Sequence, residues 1–315
     1  MSMALAIHGG AGTIRQSEMT PEAAQERHEG LRRALRAGWA VLHKGGSAVD
    51  AVTAAVMALE DDPLFNAARG AVMTDAATLE MDAAIMNGAD RCAGAVAGIC
   101  GPRYPVLAAR AVMETTPHVL MIGQSALDVA REAGLEFAPL SWFETPQRRA
   151  ALELELARRA SNAPDTRSDA DRHGTVGAVA RDAKGHLAAA TSTGGLTAKR
   201  TGRVGDTPIF GAGTFADDAS CAVSCTGTGE VFIRFTAASE IAARIRYKGE
   251  SLAIAAEDVV AELATKGGDG GLIALSTQGE PVFPFNSAGM YRGWVDEKGQ
   301  LYTAIYREAF MQASA

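Results

Sequence analysis

The stretch Ser161–Gly174 constrains the fold of this chain more than any other feature. It carries Ser, Asn, Pro, Asp, Thr, Arg and Gly without a periodic apolar face, and it ends abruptly at His173-Gly174-Thr175. The strand-like run Val176-Gly177-Ala178-Val179 begins at the next residue. Such a composition reads as a mobile linker, and exposed flexible loops are where chain cleavage is tolerated. The linker separates two sets of predicted elements, and the fold has to combine them across it.

Each half supplies strands and a pair of helices. Ala4–His8 reads as a strand followed by the turn Gly9-Gly10-Ala11-Gly12. Thr20 and Pro21 open a helix that Gly45-Gly46 stop, and Ser47 to Asp50 form a capping box for a second helix ending at Glu60-Asp61-Asp62-Pro63. Leu79–Met86 and Cys92–Cys100 flank Asn87-Gly88 as a hairpin, and Pro105–Glu114, Ala126–Ala133 and Pro146–Arg159 read as helices. After the linker, Val176–Ala180 and Leu187–Ser192 form a hairpin, Ala219–Cys225 a strand, and Glu230–Tyr247 and Leu252–Ala264 two helices. Two closing hairpins follow, Gly271–Ser276 with Pro281–Phe285 and Gly289–Val295 with Leu301–Tyr306.

Hydrophobic residues make up 47% of the 315 residues and aromatics only 6%, so the core is built of Ala, Val, Leu and Ile. Such a core suits two sheets packed face to face with helices on both outer sides. A net charge of −7 argues against a nucleic-acid surface. No run reaches the ~18 apolar residues of a membrane helix, and the first residues lack the basic start of a signal peptide. A cytoplasmic protein is the expectation. The four cysteines contain no CxxC pair, and Cys221 and Cys225 fall in a buried strand.

Cutting between Gly174 and Thr175 would give one residue both a nucleophilic hydroxyl and its own base. A free α-amine titrates at roughly 7.7–8, so a useful fraction is unprotonated at neutral pH. Threonine with its own terminal amine is a known activated nucleophile. Three Gly/Thr-rich clusters follow: Thr191-Ser192-Thr193-Gly194-Gly195, Gly202-Arg203-Val204-Gly205-Asp206, and Ser224-Cys225-Thr226-Gly227-Thr228-Gly229-Glu230. Glycines there allow backbone N–H groups to approach a ligand. Arg203 and Asp206 suit an amino-acid zwitterion, the guanidinium taking the carboxylate and the carboxylate the ammonium.

These blocks, with Gly174–Ala180 and with Ile7–Gly12, Pro63–Ala67, Leu79–Ala83 and Gly94–Gly98 in the first half, resemble the isoaspartyl peptidase/L-asparaginase family of N-terminal nucleophile hydrolases. The resemblance runs from about Leu5 to about Arg307. It implies an α+β protein with a four-layer αββα sandwich. It implies a precursor that cuts itself before Thr175 into an α subunit (1–174) and a β subunit (175–315). The mature enzyme would attack L-asparagine or a β-aspartyl dipeptide through a β-aspartyl ester on Thr175.

Roles follow by resemblance. Thr193 tunes the nucleophile, Thr226 and Gly227 form the oxyanion hole, and Asn66 orders the nucleophile's surroundings. Arg203 holds the α-carboxylate, while Asp206 and the Gly229 carbonyl hold the α-amine. No cofactor is implied for catalysis. A structural sodium ion is implied in the loop of Leu59, Glu60, Asp62, Phe65, Ala67 and Arg69, mostly through backbone carbonyls. A dimer of αβ units is also implied. The sequence departs from the family's pattern at Ala68, often Gly there, at Ala198, often Asn, and at Thr201, often Pro.

Bland readings compete. His8 reads as a structural histidine, Glu60-Asp61-Asp62 as a solvated helix end, and Arg203 with Asp206 as a surface ion pair. A glycosylasparaginase would use the same nucleophile, an unprocessed relative would bind amino acids without turnover, and a metabolite-binding module would use the Gly-rich loops without one.

Overall fold

A computed structural model describes residues 3–12, 14–161, 163 and 174–313. Of the linker read over 161–174, residues 162 and 164–173, His173 among them, lie outside the described residues. The first half contains β1 (Ala4–Gly12), α1 (Pro21–His43), α2 (Ala48–Glu60), β2 (Met81–Asn87), β3 (Ala93–Ile99), α3 (Pro105–Thr115), β4 (Leu120–Ile122), α4 (Gly123–Glu132), α5 (Leu140–Phe143) and α6 (Pro146–Ala160). The second contains β5 (Val176–Arg181), β6 (Leu187–Thr193), β7 (Thr214–Asp217), β8 (Cys221–Gly227), α7 (Gly229–Arg234), α8 (Ala237–Ala243), α9 (Leu252–Thr265), β9 (Gly270–Ser276), β10 (Pro281–Val282), β11 (Gly289–Val295), β12 (Leu301–Ala304) and β13 (Met311–Ala313).

A nine-stranded sheet runs in the order β13-β12-β11-β1-β5-β6-β2-β3-β4, and a four-stranded sheet in the order β10-β9-β8-β7. The two halves interleave, because β1 lies between β11 and β5 while β2 borders β6. Register aligns the chemistry. His8 lies opposite Gly177, Val176 opposite Ser192, and Thr193 opposite Asp82, so one end of four adjacent antiparallel strands carries the candidate site.

Both faces of these strands are buried, which explains their Ala- and Val-rich character. Leu5, Ile7, Val176, Ala178 and Ala190 join one core with Leu31, Leu35, Val52, Val56 and Leu59 of α1 and α2. The alternate residues Ala4, Ala6, Val179 and Ala189 join a second core with Val223, Leu272 and Ile273 of the smaller sheet and with Ile241, Val259 and Leu263 of α8 and α9. Alanine recurs because its small side chain lets these elements approach closely. The result is a mixed α/β fold with helices against one face of the larger sheet and the smaller sheet against its other face.

The capping signals act as read. Thr20 Oγ1 accepts from Ala23 N at 3.2 Å, and Ser47 Oγ accepts from Asp50 N at 3.1 Å. Ser47→Ala should therefore cost about 1 kcal/mol, the usual value of a helix N-cap, read from the midpoint of denaturant unfolding.

Two elements differ from the sequence reading. The Gly-rich segment is no turn. It continues β1 to Gly12, with a bulge between His8 and Gly10 where the pairing with β11 shifts by one residue. Glu230–Tyr247 is not one helix. It breaks into α7 and α8 at Thr236, whose φ is 44°, and ends in a π-helical turn at Arg244–Lys248. The break has a visible cause: Ala238 N and Ser239 N donate to Ala212 O and Gly211 O rather than to the preceding helix, at 3.3 and 2.8 Å. Strands β4, β7 and β13 were not foreseen.

Candidate active site

The junction sits at the start of β5 with its carbonyl already engaged. Gly174 O accepts from Asn66 Nδ2 at 2.9 Å and from Thr193 Oγ1 at 2.9 Å. Thr175 Oγ1 donates to Thr193 Oγ1 at 3.1 Å, which also accepts from Gly195 N at 2.9 Å. A hydroxyl has one hydrogen, so these contacts order a single path: Thr175 hydroxyl to Thr193 hydroxyl to the Gly174 carbonyl. Asn66 is itself fixed. Its Oδ1 accepts from Val72 N at 2.9 Å, its Nδ2 also reaches Gly195 O at 2.8 Å, and its own carbonyl accepts from Gly194 N at 3.1 Å.

Gly10 is a site residue that the sequence reading missed. Its φ is +111°, and a Cβ there would lie 3.2 Å from Gly174 Cα and 3.3 Å from Thr175 N. The β1 bulge thus packs bare backbone against the junction. The available signal was the glycine run itself.

His8 is buried, and Nε2 lies 2.8 Å from Ser224 Oγ. Burial pushes its pKa down to about 3, with the Thr175 backbone pulling the other way. The imidazole is therefore neutral at neutral pH, and its burial and its contact with Ser224 favour the structural reading.

Gly174, Thr175, Thr193, Gly195, Leu196, Arg203, Gly205, Asp206 and Gly227 line one small cavity of about 10 Å³. The structure therefore brings the nucleophile and the zwitterion pair together. Thr226 Oγ1 accepts from Ala11 N at 3.1 Å, leaving its own hydrogen for another acceptor. Gly229 opens α7, and a Cβ there would stand 2.8 Å from Asp206 Oδ1 and 3.0 Å from Arg203 Nη2. Asp206 is buried, its Oδ2 has no hydrogen-bond partner among the described residues, and burial pushes its pKa up to about 7.

Arg203 and Asp206 are not a surface ion pair. Arg203 instead places Nε and Nη2 on the two carboxylate oxygens of Glu230, each at 2.9 Å. Two further groups escaped the sequence reading. Buried Asp82 of β2 accepts from Gly205 N at 3.4 Å, and Lys199 Nζ donates to Glu80 O at 2.7 Å. The sequence signal for Asp82 was the block Leu79–Ala83.

The loop after α2 corrects another expectation. Glu60 and Asp62 are buried rather than solvated. Glu60 Oε1 accepts from Val106 N at 3.0 Å, at the start of α3, and from Ser192 Oγ at 2.6 Å. Asp62 accepts from Leu64 N at 3.0 Å and from Arg33 at 2.6 Å. Ala68 and Ala198 have φ of 43° and 56°, the left-handed region, which accounts for a preference for Gly or Asn at those places.

A family model described as asparaginase matches residues 1–305. The isoaspartyl peptidase of Salmonella typhimurium is 50% identical over 312 residues, covering 96% of this chain and 98% of the relative. The chain belongs to the asparaginase family. The isoaspartyl peptidase of Escherichia coli is 50% identical over 313 residues, covering 96% of each chain. The isoaspartyl peptidase/L-asparaginase of Bos taurus is 39% identical over 307 residues, covering 97% of this chain and 96% of the relative. The family match spans both sides of Gly174–Thr175, so the junction is internal to the asparaginase unit. Among the described residues, no helix is long and apolar enough to cross a membrane, and no group of three or more His, Cys, Asp or Glu side chains could hold a metal ion.

Proposed function

We propose that this asparaginase-family chain is a self-processing threonine amidohydrolase that releases L-aspartate from isoaspartyl dipeptides and from L-asparagine. One observation carries the reading: the junction residues Gly174 and Thr175 share a cavity with a guanidinium and a buried carboxylate whose Oδ2 has no hydrogen-bond partner among the described residues. The names of the relatives support the same substrates.

In the first reaction Thr175 Oγ attacks the Gly174 carbonyl carbon. Asn66 Nδ2 and Thr193 Oγ1 already donate to that oxygen, where negative charge develops. The hydroxyl proton passes to Thr193 as Thr193 gives its own to the Gly174 oxygen, and that proton moves to the Thr175 nitrogen as the C–N bond breaks. Water then hydrolyses the ester, leaving a carboxylate on Gly174 and an amine on Thr175. In the second reaction that amine takes the hydroxyl proton while Oγ attacks the substrate's side-chain carbonyl. The Thr226 hydroxyl and Gly227 N–H stabilise the oxyanion. Arg203 binds the α-carboxylate, and Asp206 with the Gly229 carbonyl binds the α-ammonium. Ammonia or an amino acid departs with the proton, and water releases aspartate.

The halves 1–174 and 175–315 would stay together after cleavage, because their strands alternate within one sheet. We assign the layered packing to the four-layer αββα sandwich. A structural cation in the α2 loop would be held mostly by the backbone carbonyls of Leu59, Glu60, Asp62, Phe65, Ala67 and Arg69, since Glu60 Oε1 and the Asp62 carboxylate already accept from Val106, Ser192, Leu64 and Arg33. A neutral carbonyl set suits a singly charged hard ion such as sodium.

Mass spectrometry of the incubated protein should show chains ending at Gly174 and beginning at Thr175, together with ammonia release from asparagine and cleavage of β-aspartyl-leucine. An intact chain without either activity would refute the reading. Faster hydrolysis of a glycosyl-asparagine would shift it to glycosylasparaginase. Asn66→Ala should slow self-cleavage by about 10²–10³, the usual loss for one oxyanion donor, as measured by the disappearance of full-length chain with time.

A further inference from the structure

We propose that Glu230 is a positioning residue that takes one edge of the Arg203 guanidinium so that the other edge meets the substrate carboxylate. The inference rests on the amidohydrolase reading. A guanidinium has five N–H donors in a rigid plane. Glu230 uses the side edge, with Nε and Nη2 each 2.9 Å from one of its carboxylate oxygens. The remaining hydrogens belong to Nη1 and to the outer position of Nη2.

Those hydrogens lie where side chains are missing. A Cβ on Gly205 would stand 3.1 Å from Nη1, one on Gly195 3.3 Å from Nη1, and one on Gly229 3.0 Å from Nη2. Gly195 and Gly205 both line the cavity that holds Thr175 and Asp206. Among the described residues Nη1 has no hydrogen-bond partner. The end edge of the guanidinium is thus presented to the cavity as a two-pronged donor, the geometry that a carboxylate accepts best.

Glu230 can do this because it is anchored. It sits in the first turn of α7, directly after Gly229, where an added Cβ would meet Asp206 Oδ1 at 2.8 Å. The Arg203 side chain is 16% exposed, whereas that of Glu230 is 54% exposed. An ion pair with one partner in solvent contributes little to folding. Its effect is on orientation: without it, a long flexible arginine must be ordered by the substrate itself.

The alternative is competition, in which Glu230 occupies the fork that the substrate needs. The two readings predict opposite signs. Under positioning, Glu230→Gln loses the second acceptor and the charge, and KM for L-asparagine rises about threefold to tenfold, the ordering cost of one immobilised side chain, while kcat stays within about twofold. Glu230→Asp keeps the charge and gives a smaller rise. The preference for L-asparagine over L-aspartic acid diamide, which lacks the α-carboxylate, should shrink by the same factor. A merely structural role would leave that ratio unchanged.

The experiment is steady-state kinetics of the mature wild type and both variants on the two substrates, with unfolding midpoints measured alongside. Calorimetric binding of L-aspartate reads the same pair of sites without turnover and should weaken in Glu230→Gln. A lower KM, an unchanged KM, or a fall confined to kcat overturns the inference. A wild type that binds L-aspartate but turns over neither asparagine nor a dipeptide refutes the proposed function instead, and the binding comparison still decides the role of Glu230.

Discussion

Thr175→Ala is expected to leave the protein as a single 32.7 kDa chain and to abolish ammonia release. Both losses have one cause. The alanine methyl cannot attack the Gly174 carbonyl, so the α-amine that would serve as base is never freed. The fold should survive, because the Thr175 hydroxyl makes its one side-chain bond to Thr193, which keeps its contacts to Gly174 O and Gly195 N. Loss of a nucleophile costs roughly 10⁴ or more in turnover, and here loss of the base compounds it. Thr175→Ser keeps the hydroxyl without the methyl that restricts χ1, so it should cleave and turn over, only more slowly. Electrophoresis after prolonged incubation reads the first effect and an ammonia assay the second. Cleavage at the same bond in Thr175→Ala would remove Thr175 from the mechanism.

Local signals in the sequence carried over well. Thr20, Ser47 and Pro146 mark helix starts because capping is decided within one turn, and α2, α3 and α9 follow their apolar spacing. Contacts between distant segments were less legible. Gly10 touches the junction only because β1 pairs with β5 across more than 160 residues of chain, and nothing near Gly10 announces that. Glu60 and Asp62 look solvated in a run of three acids, yet both are buried by α3, β6 and Arg33. The break at Thr236 depends on carbonyls of Gly211 and Ala212, which no helix periodicity can reveal. The candidate site divides in the same way. Thr175, Thr193, Arg203, Asp206 and Gly227 were found from motifs and do share a cavity. The Glu230 partner of Arg203 was not foreseen, because Glu230 reaches the guanidinium only once α7 has folded beside it.

Asp206→Asn should lower kcat/KM for asparagine by about 10²–10³, the scale for removing one member of a buried charge pair. The substitution keeps the shape and removes the charge, so the substrate ammonium enters a pocket with no counter-charge. The pH dependence makes the test specific. Burial raises the Asp206 pKa to about 7, so without ligand the neutral acid is favoured in the folded state over the unfolded one. The contribution to stability is therefore complete below the ordinary carboxylate range and is lost as pH rises from there through about 7. A bound ammonium reverses the preference, because it needs the ionised carboxylate. L-aspartate affinity should therefore fall about tenfold per pH unit below 7, with a proton released on binding. In Asp206→Asn that acid limb of binding should vanish, while any limb in kcat that reports the Thr175 amine persists. Calorimetry in buffers of different ionisation enthalpy counts the released proton. An acid limb in L-aspartate binding that survives in Asp206→Asn would place the titrating group elsewhere and leave the buried carboxylate without its assigned ammonium.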